Sequence, residues 1–219
     1  MRAEQCRNHR TPDTFRPIVQ MVSVCRVGRT NQGGYLVFSL SRYAYHEAGH
    51  AIVGHIIGRC ISEISILADT DRDYKGYCAF DVFHEDMQGF PQWRDGSKNP
   101  ECTTIMYAGT IALRVLCEIR GWNYQHWRGI DHADFDAIYL CSLEMGLSDD
   151  ELLAMEQRCQ QQARDILTSH WNAVEALAAA LLERGRLLGT EAHEMIRQTL
   201  GETSADWREA NGRVLSKWE

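Results

Sequence analysis

Two histidines four residues apart, with a glutamate directly after the first, are the side chains of this chain best spaced to do chemistry. They are His46, Glu47 and His50, in "YAYHEAGHAIVGHIIG" at residues 43–58. On a helix His46 and His50 stand about 40° apart and one turn from each other, so two imidazole nitrogens can reach one ion. Glu47 lies toward the same side, beside the ion rather than among its ligands. Imidazole ligands and a position left for water suit Zn2+. Such an ion lowers the pKa of its water to about 7, and a neighbouring carboxylate can take the water's proton and pass it to a leaving amine. This is the logic of H-E-x-x-H on a helix, and it points to metal-dependent peptide hydrolysis. The competing reading is a core helix that happens to carry histidines. His55 fits that reading: it is about 140° around the helix from His50, faces elsewhere, and is expected to be an ordinary histidine.

A catalytic zinc needs a third protein ligand. In "HEAGHAIVGHI" Val53 and Ile56 stand where the metzincin extension requires glycine and histidine, which excludes that arrangement. The best acidic cluster is "GIDHADFDAIYL", where Asp131, His132, Asp134 and Asp136 crowd a helix start. Such clusters also serve as caps and solvated first-turn carboxylates, and spacing alone does not choose among the four.

The elements that must position these groups can be read coarsely. Residues 43–58 form a buried helix, with Ser41 as its N-cap and Gly58 near its end. Before it, "IVQMVSV" and "YLVFSL" read as short strands. After it, "CISEISILAD" and "KGYCAFDVF" read as two strands joined by the turn-like "DTDRD". The stretch "HEDMQGFPQWRDGSKNPE" reads as a long loop. From Cys102 the chain reads as helices. The first is capped by Thr103 or Thr104 and stopped by Gly121, and a second, around Asp134–Glu144, ends at Gly146. Helices follow in "DDELLAMEQRCQQQARDILTSH" and "WNAVEALAAALLERG", and in "TEAHEMIRQTL" with Thr190 as cap. The expected fold is therefore mainly α (α+β), with a small β-sheet near the front and a helical C-terminal part.

Composition bounds the rest. The 219 residues are 44% hydrophobic and 24% charged, a globular balance with material for one core. A formal charge of −7 disfavours nucleic acid as a partner. No run of about 18 apolar residues suggests membrane insertion, and the arginine-rich N-terminus lacks the apolar centre of a signal peptide. A cytoplasmic location is expected, with the eight cysteines, none in a CxxC pair, as reduced thiols.

The segment "AYHEAGHAIVGHIIG" resembles the active-site helix of the peptidase domain of FtsH-type zinc metalloproteases. The likeness continues in order through "ISEISILAD…KGYCAF", "MYAGTIALRVL", "DHADFDAIYLCSLEMGLSD" and the C-terminal "ARDILTSHWNAVEALAAALLERG", over about residues 43–200. The resemblance implies a helical, zincin-like peptidase domain over 43–200, after an N-terminal extension (1–42) and before a tail (201–219). It implies His46, His50 and Asp134 as zinc ligands and Glu47 as general base and then acid. Asp134 falls where the family's aspartate opens "N-D-[LI]-x-x-A", although Ala133 replaces the asparagine. "AGTIAL" also departs from the family pattern at Ala108, Thr110 and Leu113. The family's AAA+ ATPase and transmembrane segment have no counterpart here, since no G-x-x-x-x-G-K-[ST] occurs. The expected function is thus a zinc-dependent endopeptidase acting on peptides or unfolded proteins without ATP. A homo-oligomer and a separate ATPase that delivers substrate are compatible partners, and the strand around Gly76–Asp81 is expected to offer its edge to an extended substrate. The alternative is a zinc-binding interaction module of the same fold without turnover; an intact Glu47 argues against it.

Overall fold

The computed structural model describes residues 21–26, 36–68, 74–80, 100–127 and 132–202. The elements run β1 (Met21–Arg26), α1 (Leu36–Ile57), β2 (Ile61–Ser65), β3 (Tyr74–Phe80), α2 (Pro100–Arg120), α3 (His132–Met145), α4 (Asp149–Ser169), α5 (Trp171–Arg184), β4 (Arg186–Leu188) and α6 (Gly189–Leu200). A single 3-10 turn, Tyr124–Trp127, follows α2. The fold is mainly α, with one small antiparallel sheet.

α1 is the axis of the core. Ala44, Ala48, Ala51, Ile52 and Val53 are buried, and so are the polar His46, Glu47 and His50. Helices α2 and α5 and strands β2 and β3 all pack on α1. A helix enclosed on every side is apolar all round rather than striped, as this segment is. Small residues let α2 come close. A Cβ on Gly49 would lie 2.6 Å from Ala112 Cβ and 2.8 Å from the Ala108 carbonyl oxygen. On the sheet side, a Cβ on Gly54 would lie 2.2 Å from the Phe80 ring. α2 is long and apolar enough to cross a membrane, but 83% of that stretch is buried inside the fold, where it serves as the second core helix.

The sheet order is β1-β3-β2-β4, with every neighbouring pair antiparallel. β3 is therefore an interior strand with both edges paired, and the described part of Gly76–Asp81 has no edge to offer. Among the described residues, the outer strands are β1 and β4. β4 was not foreseen, because three residues are too few to display alternation. It nevertheless alternates, with Leu187 buried between exposed Arg186 and Leu188.

Several expected boundaries move. "YLVFSL" is not a strand: from Leu36 onward it belongs to α1, and Ser41 lies inside that helix instead of capping it. A short apolar run fits helix and strand equally, and here it extends a helix already stabilised by its buried half. The division at residue 43 consequently cuts through α1, and β1, from within 1–42, belongs to the central sheet. α2 begins at Pro100, before Thr103 and Thr104. Proline suits a first helical position, where its missing N–H costs nothing, and the Thr104 hydroxyl donates back to the Pro100 carbonyl at 2.9 Å. α6 begins at Gly189, so Thr190 is inside it; the Glu191 carboxylate accepts the Leu188 N–H at 2.9 Å instead. Gly58, Gly121 and Gly146 end α1, α2 and α3 with positive φ, which glycine adopts without the Cβ penalty. The "DTDRD" turn and residues 84–99 of the long loop lie outside the described residues.

Candidate metal centre

His46, Glu47 and His50 come from adjacent turns at the buried middle of α1. Asp134 comes from the first turn of α3, 88 positions after His46. His46 Nε2 lies 2.9 Å from Asp134 Oδ2, His50 Nε2 lies 3.0 Å from His46 Nε2, and His50 Nε2 lies 3.3 Å from Asp134 Oδ2. Three atoms that carry lone pairs thus form a small, nearly equilateral triangle. Ligands about 2.0–2.2 Å from a tetrahedral ion stand roughly 3.3–3.5 Å from each other, so the triangle is close to, and slightly tighter than, the spacing around one ion. All three residues are buried, with Asp134 only 1% exposed. Ile138, one turn further along α3, shares that buried face, while Asp136 is exposed and turned away. Asp131 lies outside the described residues, and of His132 only the backbone, at the start of α3, is described.

α2 acts as the jig for this triangle. His50 Nδ1 donates to the Ile105 carbonyl at 2.7 Å. That bond places the ring proton on Nδ1 and leaves the Nε2 lone pair facing inward, the arrangement by which an outer partner orients a metal-bound histidine. One turn along α2, Gly109 lies against both rings. A Cβ there would stand 2.4 Å from His46 Cε1 and 2.4 Å from His50 Nε2. Any larger residue would fill the space into which the imidazoles converge.

Glu47 lies under β3. A Cβ on Gly76 would lie 2.9 Å from Glu47 Oε1 and 3.2 Å from the Ser65 carbonyl oxygen, so the bare glycine backbone makes the room its carboxylate occupies. Burial pushes the Asp134 carboxyl up, but His50 and His46 outweigh it, and the group is held well below the usual carboxylate range. Asp134 is an anion at neutral pH. The Cys78 thiol, also on β3, is pushed well up by burial and then by the nearby charges of Glu47 and Asp134. It is a protonated neighbour, and it is not one of the three groups that meet.

The donor set, two imidazoles and one carboxylate, fits a divalent ion such as zinc. Among the described residues it is the only group of three or more His, Cys, Asp or Glu side chains arranged to hold a metal. Sequence reasoning missed Gly76, Gly109 and the Ile105 carbonyl. Glycines and carbonyls carry no chemical signature of their own, and only the crossing of α1 with α2 and β3 reveals what they do. Compared with known proteins, the chain matches no protein-family model and no curated protein sequence.

Proposed function

We propose that the chain is a zinc-dependent endopeptidase resembling the peptidase domain of FtsH-type enzymes, acting on peptides or unfolded chains without ATP. The observation that carries this reading is the convergence of His46 Nε2, His50 Nε2 and Asp134 Oδ2 on one point, with a buried carboxylate, Glu47, directly after His46 on the same helix. Zinc, when bound, supplies Lewis acidity toward water and the scissile carbonyl. His46, His50 and Asp134 would hold it.

The remaining work belongs to Glu47. Its carboxylate accepts a proton from the attacking water as the new C–O bond forms. It then gives that proton to the amide nitrogen as the C–N bond breaks, so the site returns to its starting charge. The ligands and Glu47 lie deep, and an extended, unfolded chain reaches such a site more readily than a folded surface does.

The test is direct. Purified protein should carry about one zinc per chain and cleave a quenched unfolded peptide. A chelator should abolish cleavage and added zinc restore it, with ATP making no difference. Protein that takes up no zinc would overturn the metal assignment. Protein that binds zinc but cleaves nothing would point to the interaction module.

A further inference from the structure

A second histidine cluster closes the far end of α1. His55 from its last turn, His193 from α6 and Glu202 just beyond α6 lie in one line, which starts at the first peptide of β2. His193 Nε2 is 2.9 Å from the Ile61 amide nitrogen, His193 Nδ1 is 2.8 Å from His55 Nδ1, and His55 Nε2 is 3.2 Å from Glu202 Oε2. His55 is 3% exposed. The Ile61 amide can only donate, and it sets the direction of the line. His193 Nε2 accepts, so the ring's proton sits on Nδ1 and is given to His55 Nδ1. His55 therefore keeps its proton on Nε2 and gives it to Glu202. Both rings are neutral, in opposite tautomers.

This line fastens α6 to the front of the molecule. Ile61 is also backed, through its next peptide, by the first turn of α6, where a Cβ on Gly189 would lie 1.8 Å from the Ile61 carbonyl oxygen. His193 holds Ile61 through its N–H, and Glu202 ties the end of α6 to the end of α1.

We propose that this line of hydrogen bonds is an acid-sensitive latch, which seats α6 on β2 and α1 while both imidazoles are neutral and opens when either takes a proton. A proton arriving on His193 must go to Nε2, the atom that accepts the Ile61 amide. One arriving on His55 must go to Nδ1, which faces the His193 Nδ1–H. Either event sets donor against donor, at His55 in a buried site and at His193 in a half-buried one.

The surrounding charges decide when this happens. Burial is the largest influence and pushes His193 down to about 4; His55 and Arg197 push the same way. Burial also lowers His55, with Arg197 and His170 in support, while Glu202 works in the other direction. Arg197 is itself paired with Glu194 at 2.5 Å. With folded values below the ordinary 6.5, the unfolded chain binds more protons in the window from 6.5 down to about 4. Stability is therefore complete above that window and is lost as the pH falls through it.

The experiment compares thermal unfolding of the zinc-loaded wild type with His193→Gln from about pH 7.5 to pH 5. The glutamine oxygen can accept the Ile61 amide and its nitrogen can donate to His55, with no proton to gain. Acid weakening of the metal centre is common to both proteins and drops out of the comparison. The wild type should match the variant near neutrality and fall below it by roughly 2–4 °C at about pH 5. Parallel profiles would overturn the latch. Should the variant fail to fold, 15N NMR of wild-type histidines decides. A neutral His193 with its proton on Nδ1 at neutral pH supports the latch, and a proton on Nε2 or an imidazolium overturns it.

Discussion

One helix carries two histidine clusters built on opposite plans. In the middle of α1, His46 and His50 each turn one nitrogen toward Asp134, and the three atoms meet at one place. At its end, His55 uses both nitrogens on different partners, and the groups follow one another in a line. Lone pairs that converge call for a cation; donors and acceptors that alternate satisfy one another. The same residue type on the same helix thus separates by geometry alone into a candidate metal centre and a hydrogen-bonded line.

The sharpest way to break this distinction is to remove one member from each cluster. Asp134→Ala should take bound zinc from about one per chain to nearly none and abolish cleavage, because two imidazoles alone leave the site one ligand short. Asp136→Ala, on the exposed face of α3, should leave both unchanged. His55→Gln should keep the zinc, since that ring faces another partner set. Metal analysis of the purified variants decides. Zinc lost with His55→Gln, or kept in Asp134→Ala, would erase the contrast between the two clusters.

Within the metal centre, Glu47→Gln separates chemistry from binding. The amide matches the carboxylate in size but cannot take a proton from water, so turnover should fall by roughly 10²–10⁴-fold with zinc content unchanged. Loss of metal and activity together would mean that Glu47 is a ligand.

The two clusters also differ in how far the sequence reveals them. His46, Glu47 and His50 lie within five residues, and helical spacing places them on one side without any knowledge of the fold. Asp134 was one of four candidates in a polar cluster, and local spacing did not distinguish it. The family resemblance pointed to Asp134, and the structure adds its burial on the Ile138 face of a helix packed against α2, a fact of tertiary structure. The latch was invisible for the same reason: His55 and His193 are 138 positions apart, and nothing around either one announces the other. His55 does face away from the His46–His50–Asp134 group, as its helical angle required, and its ring meets His193 and Glu202 instead. The fold class followed from periodicity and turn residues. The start of α1 did not, because an apolar hexapeptide fits helix and strand alike, and neither did β4, which is too short to carry a pattern.

The smallest expected effect concerns how α3 is held, since α1 lies in the core while Asp134 arrives on a helix nearer the surface. Phe135, next to Asp134, is 40% exposed, and its ring meets Tyr107 edge-on at 6.1 Å and 71°. Tyr107 lies on α2 between Ile105, whose carbonyl orients His50, and Gly109, which makes room for both imidazoles. One helix therefore sets the position of the two histidines and also registers the helix that brings Asp134. Edge-to-face aromatic pairs contribute about 0.5–1.5 kcal/mol, and partial exposure puts this one toward the lower end. Phe135→Leu keeps an apolar side chain and loses the ring edge. If the pair seats Asp134, the loss should appear as zinc affinity roughly 2–10-fold weaker, measured by competition with a chelating dye, while Glu47-dependent turnover at saturating zinc stays near wild type. A lower melting temperature with unchanged zinc affinity would show that the ring pair stabilises α3 without positioning its carboxylate.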